Sequence, residues 1–212
     1  MLHDELKYLN KYPFHMPGHK RNGKFGIDGS DIDITEIVGF DDLHEPKGTI
    51  AQVEEIYQKL YKSKSSVLLV NGSTVGILAA VFAMTHYGDK VIVAANCHKS
   101  VYNACALRKL KTIIANPRFD GVNGIYTRLT QDEVDRVIKL HPDAKLLIFT
   151  SPTYEGYISK IKTDLPVIVD AAHGAHLPFF EEKLKVNFLS TTLCCKLNHC
   201  NNVVLMRVNT TW

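Results

Sequence analysis

The chain has 212 residues, of which 45% are hydrophobic and 22% are charged, and its formal net charge is +3 at pH 7 with the ten histidines counted as neutral. This composition excludes a disordered, collagen-like or coiled-coil chain, and the charge is too small to indicate nucleic acid or an anionic membrane as the main partner. No apolar run approaches the ~20 residues that span a bilayer, and the charged first residues are unlike a signal peptide, so we expect a cytoplasmic protein that does not bind membranes.

Residues 1–64 are predicted to form a segment of helices and loops distinct from the rest of the chain. The predicted order is a helix at 2–10, a loop at 13–29, an acidic stretch rich in glycine and proline at 31–48, and an amphipathic helix at 50–61. A loop as long as 13–29 is uncommon in compact domains unless it binds something or packs across a partner. His15 and His19 are four residues apart, but they lie in a loop with proline and glycine, where the i, i+4 geometry of a helix is unavailable. We therefore predict an active-site loop there rather than a metal site. The acidic residues near 36–45 either attract a basic substrate or form a solvated turn that also caps a helix.

From residue 65 to 212, short apolar runs alternate with amphipathic stretches, which is the pattern of βα units in a mostly parallel sheet. Strands are predicted at 67–70, 91–95, 112–115, 146–150, 167–170, 186–190 and 203–208, and helices at 74–87, 100–110 and 131–140. The apolar face of the first of these helices is predicted to consist of Val75, Leu78, Ala79, Phe82 and Ala83. Thr130 followed by Glu133 predicts the cap of the last helix.

Polar residues follow the predicted strands, and in open α/β sheets ligands bind beyond the carboxyl ends of the strands. Gly72, Ser73 and Thr74 follow the first strand and open a helix, where a glycine turn, two hydroxyls and free backbone N–H groups could hold a phosphate. The same residues are also a common capping sequence. His98 follows the second strand, where its ring could stack on a planar ligand, and Lys99 or Ser100 could meet a phosphate.

Two further strand ends carry polar groups. Ser151 begins a proline-containing loop rich in hydroxyls, and Asp170 ends an apolar strand that is followed by His173. A carboxylate at the end of a buried strand costs several kcal/mol unless it is paired, so Asp170 needs a cation. Pyridoxal phosphate would explain all four strand ends, because it needs a phosphate cradle, a stacking group and an acid beside its pyridine nitrogen.

At these motifs the chain resembles the ornithine/lysine/arginine decarboxylase family, the bacterial branch with the aspartate-aminotransferase-like fold. The resemblance runs from about residue 14 to residue 190, in blocks that occur in the family's order. These blocks are 14–20 (FHMPGHK), 33–36 (DITE), 39–44 (GFDDLH), 46–50 (PKGTI), 69–76 (LVNGSTVG), 96–100 (NCHKS), 150–156 (TSPTYEG) and 169–176 (VDAAHGAH).

The resemblance implies a fold, a cofactor and a substrate class. The expected fold is α/β, the three-layer α/β/α, mostly parallel sheet of the pyridoxal-phosphate-dependent transferases, with residues 65–212 as a partial large domain that lacks the carboxyl-terminal domain. The family decarboxylates a basic amino acid (lysine, arginine or ornithine) as a homodimer. The implied catalytic residues are His98, Asp170 and His173, and the implied cofactor-binding residues are Gly72, Ser73, Thr74, His98, Ser151, Asp170, His173 and Ser190.

The chain departs from the family pattern after Ser190. The family has Ser-x-His-Lys, in which the lysine forms the Schiff base with the cofactor, whereas Thr192 and Leu193 stand at the last two positions here. Leucine cannot form an imine, and Lys196 lies three positions too late. An acidic residue of the family is replaced by Ala171. We therefore expect an incomplete chain whose ending at 191–212 results from a truncation or a frame change, and little or no activity alone.

The five cysteines are an odd number, so no disulfide framework is expected. Three of them fall in the atypical tail, at Cys194, Cys195 and Cys200, where the spacing fits no common zinc pattern. Three kinds of protein fit these observations: a decarboxylase that is active in its complete form, a non-catalytic protein that retains the pyridoxal phosphate site, and a dimerisation partner of a full-length relative.

Overall fold

The computed structural model describes residues 2–9, 14, 18–21, 30–61, 63–70, 72–175, 177, 191–197 and 200–207. The chain divides into two compact units, Met1–Ile56 and Tyr57–Trp212. The strand predicted at 186–190 and most of the loop predicted at 13–29 lie outside the described residues.

In the first unit, Arg21, which belongs to the loop predicted at 13–29, contacts the end of helix α1 (Leu2–Lys7). Its guanidinium group donates hydrogen bonds to the carbonyls of Leu6 at 2.9 Å, Leu9 at 2.8 Å and Asp31 at 2.7 Å. The backbone N–H of Arg21 donates to Nδ1 of His19, and Nε2 of His19 lies 3.0 Å from Asp33 Oδ2. Because Nδ1 accepts, Nε2 carries the proton that faces the carboxylate. Polar contacts therefore hold His19 and Arg21, two of the described residues of this segment.

Asp41 organises the start of helix α2 (Thr49–Tyr61). Its carboxylate accepts hydrogen bonds from five backbone N–H groups, those of Asp42, Lys47, Gly48, Ile50 and Ala51. These bonds, the one from Lys47 foremost, lower the pKa of Asp41 to about 2. The carboxylate thereby satisfies N–H groups that have no partner inside the helix. This part of the acidic stretch has a structural role.

Asp41→Asn is expected to loosen the start of α2. The amide replaces one acceptor oxygen with a donor, so the N–H groups of Ile50 and Ala51 should exchange with deuterium roughly fivefold faster. In the unchanged protein the folded-state pKa is lowered, so this contribution is present above about pH 4 and is lost as the pH falls through 2. Amide exchange followed by NMR tests both statements. Asp31→Asn, which changes an exposed carboxylate of the same unit, is the matched control, and equal exchange in both variants would contradict the role of Asp41.

The second unit is an α/β structure. Its helices are α3 (Gly72–Met84), α4 (Lys99–Leu107) and α5 (Gln131–Leu140), and its strands are β1 (Val67–Leu68), β2 (Lys90–Ala94), β3 (Lys111–Ala115), β4 (Phe119–Asp120), β5 (Ile125–Tyr126), β6 (Leu146–Thr150), β7 (Val167–Asp170), β8 (Thr191–Leu197) and β9 (Cys200–Arg207). Four strands form a parallel sheet in the order β3-β2-β6-β7. Every residue of β7 and the first four of β6 are buried, so both faces of the sheet are covered. The predicted α/β class and mostly parallel sheet are confirmed.

The first predicted strand has a different partner from the one expected. β1 pairs antiparallel with β9, which pairs antiparallel with β8, and β8 lies beside β7. The expectation that β1 takes part in a parallel βα unit is therefore wrong. β8 was not predicted, whereas the strand predicted at 203–208 falls largely within β9. Hydrophobic periodicity carries no information on strand direction, and here the partner of a two-residue strand lies more than a hundred residues further along the chain.

Helix α3 turns a different face to the core from the one predicted. Its buried residues are Gly76, Ile77, Ala80 and Val81, whereas Phe82 is exposed. The helix is apolar on almost all sides, so the spacing of its apolar residues could not identify the buried face. In spite of this composition, neither α3 nor any other described helix is long and apolar enough to cross a membrane.

The predicted cap of α5 is confirmed. Thr130 has extended backbone dihedrals, and its hydroxyl accepts a hydrogen bond from the backbone N–H of Glu133 at 3.4 Å. The Glu133 carboxylate does not complete a capping box, because it accepts hydrogen bonds from the backbone N–H of Asn116 and from the guanidinium of Arg136. It therefore joins α5 to the segment after β3.

Candidate active site

A cavity of about 740 Å³ lies at the carboxyl ends of β2, β6 and β7. This volume is within the roughly 300–1,000 Å³ that small-molecule sites occupy. Its lining consists of residues that follow the three strands, the first turn of α3 and part of the β4–β5 hairpin: Gly72, Ser73, Thr74, Ile77, Asn96, His98, Ser100, Gly124, Ile125, Tyr126, Thr150, Thr153, Tyr154, Glu155, Asp170, Ala172 and His173. The position agrees with the expectation for an open parallel sheet.

The amino terminus of α3 forms one wall of this cavity. Gly72 has a φ of +83°, a conformation that residues with a Cβ atom rarely adopt, and it is the first residue of the helix. Ser73 is half-buried and Thr74 is exposed, and both line the cavity. The N–H groups of the first turn have no partner within the helix, and together with the positive end of the helix dipole they favour an anion here.

His98 is the N-cap of α4, and this role holds its ring. Nδ1 accepts a hydrogen bond from the backbone N–H of Ser100 at 3.3 Å and lies 2.9 Å from the Ser100 hydroxyl. Since Nδ1 accepts, the proton of the neutral ring is on Nε2. The imidazole is exposed and lines the cavity, so it can contact a ligand without giving up its capping bond.

Asp170 ends β7 directly opposite Thr150, the last residue of β6. It is 6% exposed, and burial raises the pKa of its carboxyl, an effect that is opposed by the Ala172 N–H and by the nearby His98 and His173. The Ala172 N–H donates to Oδ1 at 3.1 Å, which leaves Oδ2 for another partner. No lysine or arginine occurs in the described cavity lining. The buried carboxylate is therefore suited to a cation supplied by a ligand.

Thr150 lies at the same strand ends and lines the cavity beside Asp170. Its Oγ1 is buried and interacts with the thiol of the buried Cys97, where it opposes the rise in pKa that burial causes. Buried hydroxyls are nearly always hydrogen-bonded in folded proteins, and this thiol provides the neighbouring polar group.

The loop after β7 packs tightly against the loop after β6. The ring of His173 meets the ring of Tyr154 edge to face, with centroids 5.2 Å apart. Gly174 has no room for a side chain, because a Cβ atom there would lie 2.5 Å from Cδ of Pro152. Since the proline ring cannot move aside easily, the two loops hold one another, and His173 has a defined position in the cavity.

The predicted site residues fall into three groups. Six of them line the cavity together: Gly72, Ser73, Thr74, His98, Asp170 and His173. Ser151 is 1% exposed and does not belong to the described lining, because its hydroxyl accepts from the Ser159 N–H and donates to the Ser159 carbonyl. Ser190 lies outside the described residues. Lys99 is exposed and is also absent from the described lining.

The β4–β5 hairpin contributes cavity residues that the sequence reasoning missed. Gly124, Ile125 and Tyr126 line the cavity, and the Tyr126 ring packs edge-on against Phe119 at 5.3 Å. Asp120 closes the turn by accepting from two backbone N–H groups and from the side-chain amide of Asn123. An aspartate and glycines between two aromatic residues are a recognisable hairpin signal, but nothing local places that hairpin at the cavity.

Comparison with known proteins agrees with this architecture. Residues 5–192 match the profile of the family described as Orn/Lys/Arg decarboxylase, major domain. The uncharacterized protein YaaO of Bacillus subtilis is 37% identical over 196 residues, which are 84% of this chain and 41% of that protein. An arginine decarboxylase of the same organism is 33% identical over 194 residues, 83% of this chain and 40% of its own length. The chain therefore spans about two fifths of these relatives.

Solved structures resemble the fold. The constitutive lysine decarboxylase of Escherichia coli matches with a TM-score of 0.77 and 15% identity, over 99% of this chain and 35% of that one. The lysine decarboxylase LdcF of Francisella novicida matches with a TM-score of 0.80 and 16% identity, over 99% of this chain and 36% of its own. At these identities the likeness concerns the fold.

Proposed function

Because the chain belongs to the Orn/Lys/Arg decarboxylase family, we propose that its cavity binds pyridoxal phosphate as part of a decarboxylase of basic amino acids. The single observation that carries this proposal is the shared cavity of Asp170 and the amino terminus of α3. The buried carboxylate of Asp170 suits a cationic ring nitrogen, and the amino terminus of α3 suits an anionic phosphate. Pyridoxal phosphate carries both groups.

The residues present fit the chemistry of this cofactor. Ser73 and Thr74, with the backbone N–H groups of the first turn of α3, would bind its phosphate. His98 would stack on its ring, since the capping bond leaves the imidazole face free. Asp170 would meet the pyridine nitrogen through Oδ2. His173 would complete the wall beside the ring.

In the family's reaction a basic amino acid loses its carboxylate as carbon dioxide. When bound, pyridoxal phosphate withdraws electrons from the carbon that loses this group. Asp170 would keep the ring nitrogen protonated. A buried carboxylate stabilises a cation in contact with it far more than a carboxylate in water does. The amino terminus of α3 and His98 would fix the orientation of the ring.

A non-catalytic role is the second candidate, and Thr192 and Leu193 favour it. They stand where the resemblance expects histidine and the lysine that binds the cofactor covalently. A chain with this sequence would hold the cofactor by phosphate and ring contacts alone. Such a protein could still pair with a second copy or with a full-length relative, as the expectation of a dimer implies.

Titration with pyridoxal phosphate tests the proposed site, with His98→Asn as the informative variant. Asparagine is a good N-cap, so the melting temperature should stay unchanged, whereas the loss of the ring should weaken binding about three- to tenfold. Binding is followed by cofactor absorbance and by calorimetry. Unchanged affinity in His98→Asn would contradict the stacking role, and no binding by the unchanged protein would contradict the proposed site.

A further inference from the structure

The described cavity lining contains two carboxylates, Asp170 and Glu155, and no lysine or arginine. With the histidines neutral, these side chains give the described lining a formal charge of −2. A concave site of one sign concentrates ligands of the opposite sign. Asp170 is buried at the end of β7, whereas Glu155 is exposed on the loop after β6, so the two carboxylates lie in different surroundings.

A tight turn holds the backbone of Glu155. The N–H of Gly156 donates to the carbonyl of Thr153 at 3.0 Å, and the N–H of Thr153 donates to the carbonyl of Tyr157 at 2.9 Å. The hydroxyl of Thr153 also accepts from the Tyr157 N–H at 3.2 Å, and Gly156 has the positive φ of +89° that this turn needs. Thr153 is itself only 3% exposed. The turn is thus anchored, and it carries Glu155 at the cavity without an ion pair to any described residue.

We propose that Glu155 binds the side-chain cation of the basic amino acid substrate and thereby selects basic over neutral side chains. This inference rests on the proposed function and extends it to a specificity residue. An exposed carboxylate contributes little when its partner is also surrounded by water. A substrate that fills the cavity removes that water, and a charge-assisted hydrogen bond to an ammonium or guanidinium group then becomes substantially stronger.

Asp170 cannot take this role as well. Its Oδ1 accepts the Ala172 N–H and the side chain is buried, which leaves Oδ2 for one group placed directly against it. In the proposed function that group is the ring nitrogen. Glu155 is therefore the remaining anionic side chain of the described lining. Tyr126 also lines the cavity and is 41% exposed, so its ring offers an aromatic surface on which a guanidinium group can lie.

A comparison of arginine with citrulline tests this inference. Citrulline has the same shape and the same α-amine but a neutral ureido group, so any reaction with pyridoxal phosphate is common to both amino acids. The full chain should bind arginine at least about tenfold more tightly than citrulline, and Glu155→Gln should reduce this ratio to about one. Calorimetric titrations are made with pyridoxal phosphate and again without it.

Asp164→Asn is the matched control, because it removes an exposed carboxylate of the same unit that does not line the cavity. This variant should keep the arginine preference. A ratio that stays high in Glu155→Gln, or a full chain that binds both amino acids equally, would overturn the role of Glu155. Cofactor absorbance is recorded separately, so a failure to bind pyridoxal phosphate contradicts the proposed function while the ratio still decides the role of Glu155.

Discussion

Asp170→Asn is expected to weaken the binding of pyridoxal phosphate at least about thirtyfold. Removing one partner of a buried charge pair costs 2–5 kcal/mol, and much of this cost is the penalty of leaving the other charge buried without a counter-ion. Asparagine has nearly the shape of aspartate, and its side-chain oxygen can still accept the Ala172 N–H. The expected loss therefore reports the charge and not the packing. Equilibrium titration at pH 7 measures it.

The same substitution should stabilise the protein when no cofactor is bound. Burial raises the pKa of Asp170 above its ordinary value, so the folded chain holds this proton more tightly than the unfolded chain does. Stability from this group is thus fully present below about pH 4 and is lost as the pH rises through the raised pKa. Asparagine has no proton to lose, so the melting temperature of Asp170→Asn should exceed that of the unchanged protein at pH 7, and the difference should shrink towards pH 4.

The opposite signs of these two effects make the experiment decisive. A residue with a structural role alone would lower both the melting temperature and the affinity, whereas Asp170→Asn should raise one and lower the other. Asp164→Asn, an exposed carboxylate outside the described cavity lining, should change neither. Retention of full cofactor affinity in Asp170→Asn would refute the contact between this carboxylate and the ring nitrogen.

The chain is expected to hold pyridoxal phosphate without a covalent bond. Leu193 stands at the position where the resemblance expects the attaching lysine, and a leucine side chain has no nucleophile. Borohydride, which makes a bond between lysine and cofactor permanent, should leave the mass of the protein unchanged. Release of carbon dioxide from arginine, lysine or ornithine should be at least about a hundredfold below the roughly 10 s⁻¹ that is the median for enzymes.

Two variants sharpen this prediction. Leu193→Lys introduces an amine at the matched position and should gain the mass of one reduced cofactor after borohydride treatment. Lys196→Ala should behave as the unchanged chain does. Attachment of the cofactor to Lys196 in the unchanged protein, detected by peptide mass spectrometry, would show that this lysine replaces the missing one and that the chain retains a covalent site.

Much of the second unit is predictable from local sequence. The bounds of β6, β7 and α5 agree with the prediction, because buried parallel strands are continuous apolar runs and because Thr130 marks the start of α5. The face of α3 was not predictable, since a helix that is apolar on nearly every side has no preferred face in its sequence. The antiparallel pairing of β1 depends on β9, which is more than a hundred residues away.

The site was predictable to the extent that it follows strand ends. Asp170 ends a strand that the sequence identifies, and His98 and His173 lie within four residues of such strand ends. The rule for parallel sheets brings these residues to one edge. Ser151 obeys the same rule but lies outside the described lining, because its hydroxyl bonds the backbone of Ser159. Tyr126 was missed, because it lies eleven residues beyond the end of β3 and only the folded β4–β5 hairpin brings it to the cavity.

The sequence by itself determined the α/β class, the family and the order of chemically active residues along the chain, because periodicity and motifs are local properties of a sequence. The tertiary structure alone decided which of these residues share a cavity, and that the carboxylate of Asp170 is buried while that of Glu155 is exposed. The physical reason is that burial, charge pairing and hydrogen-bond satisfaction depend on atoms brought together from distant parts of the chain.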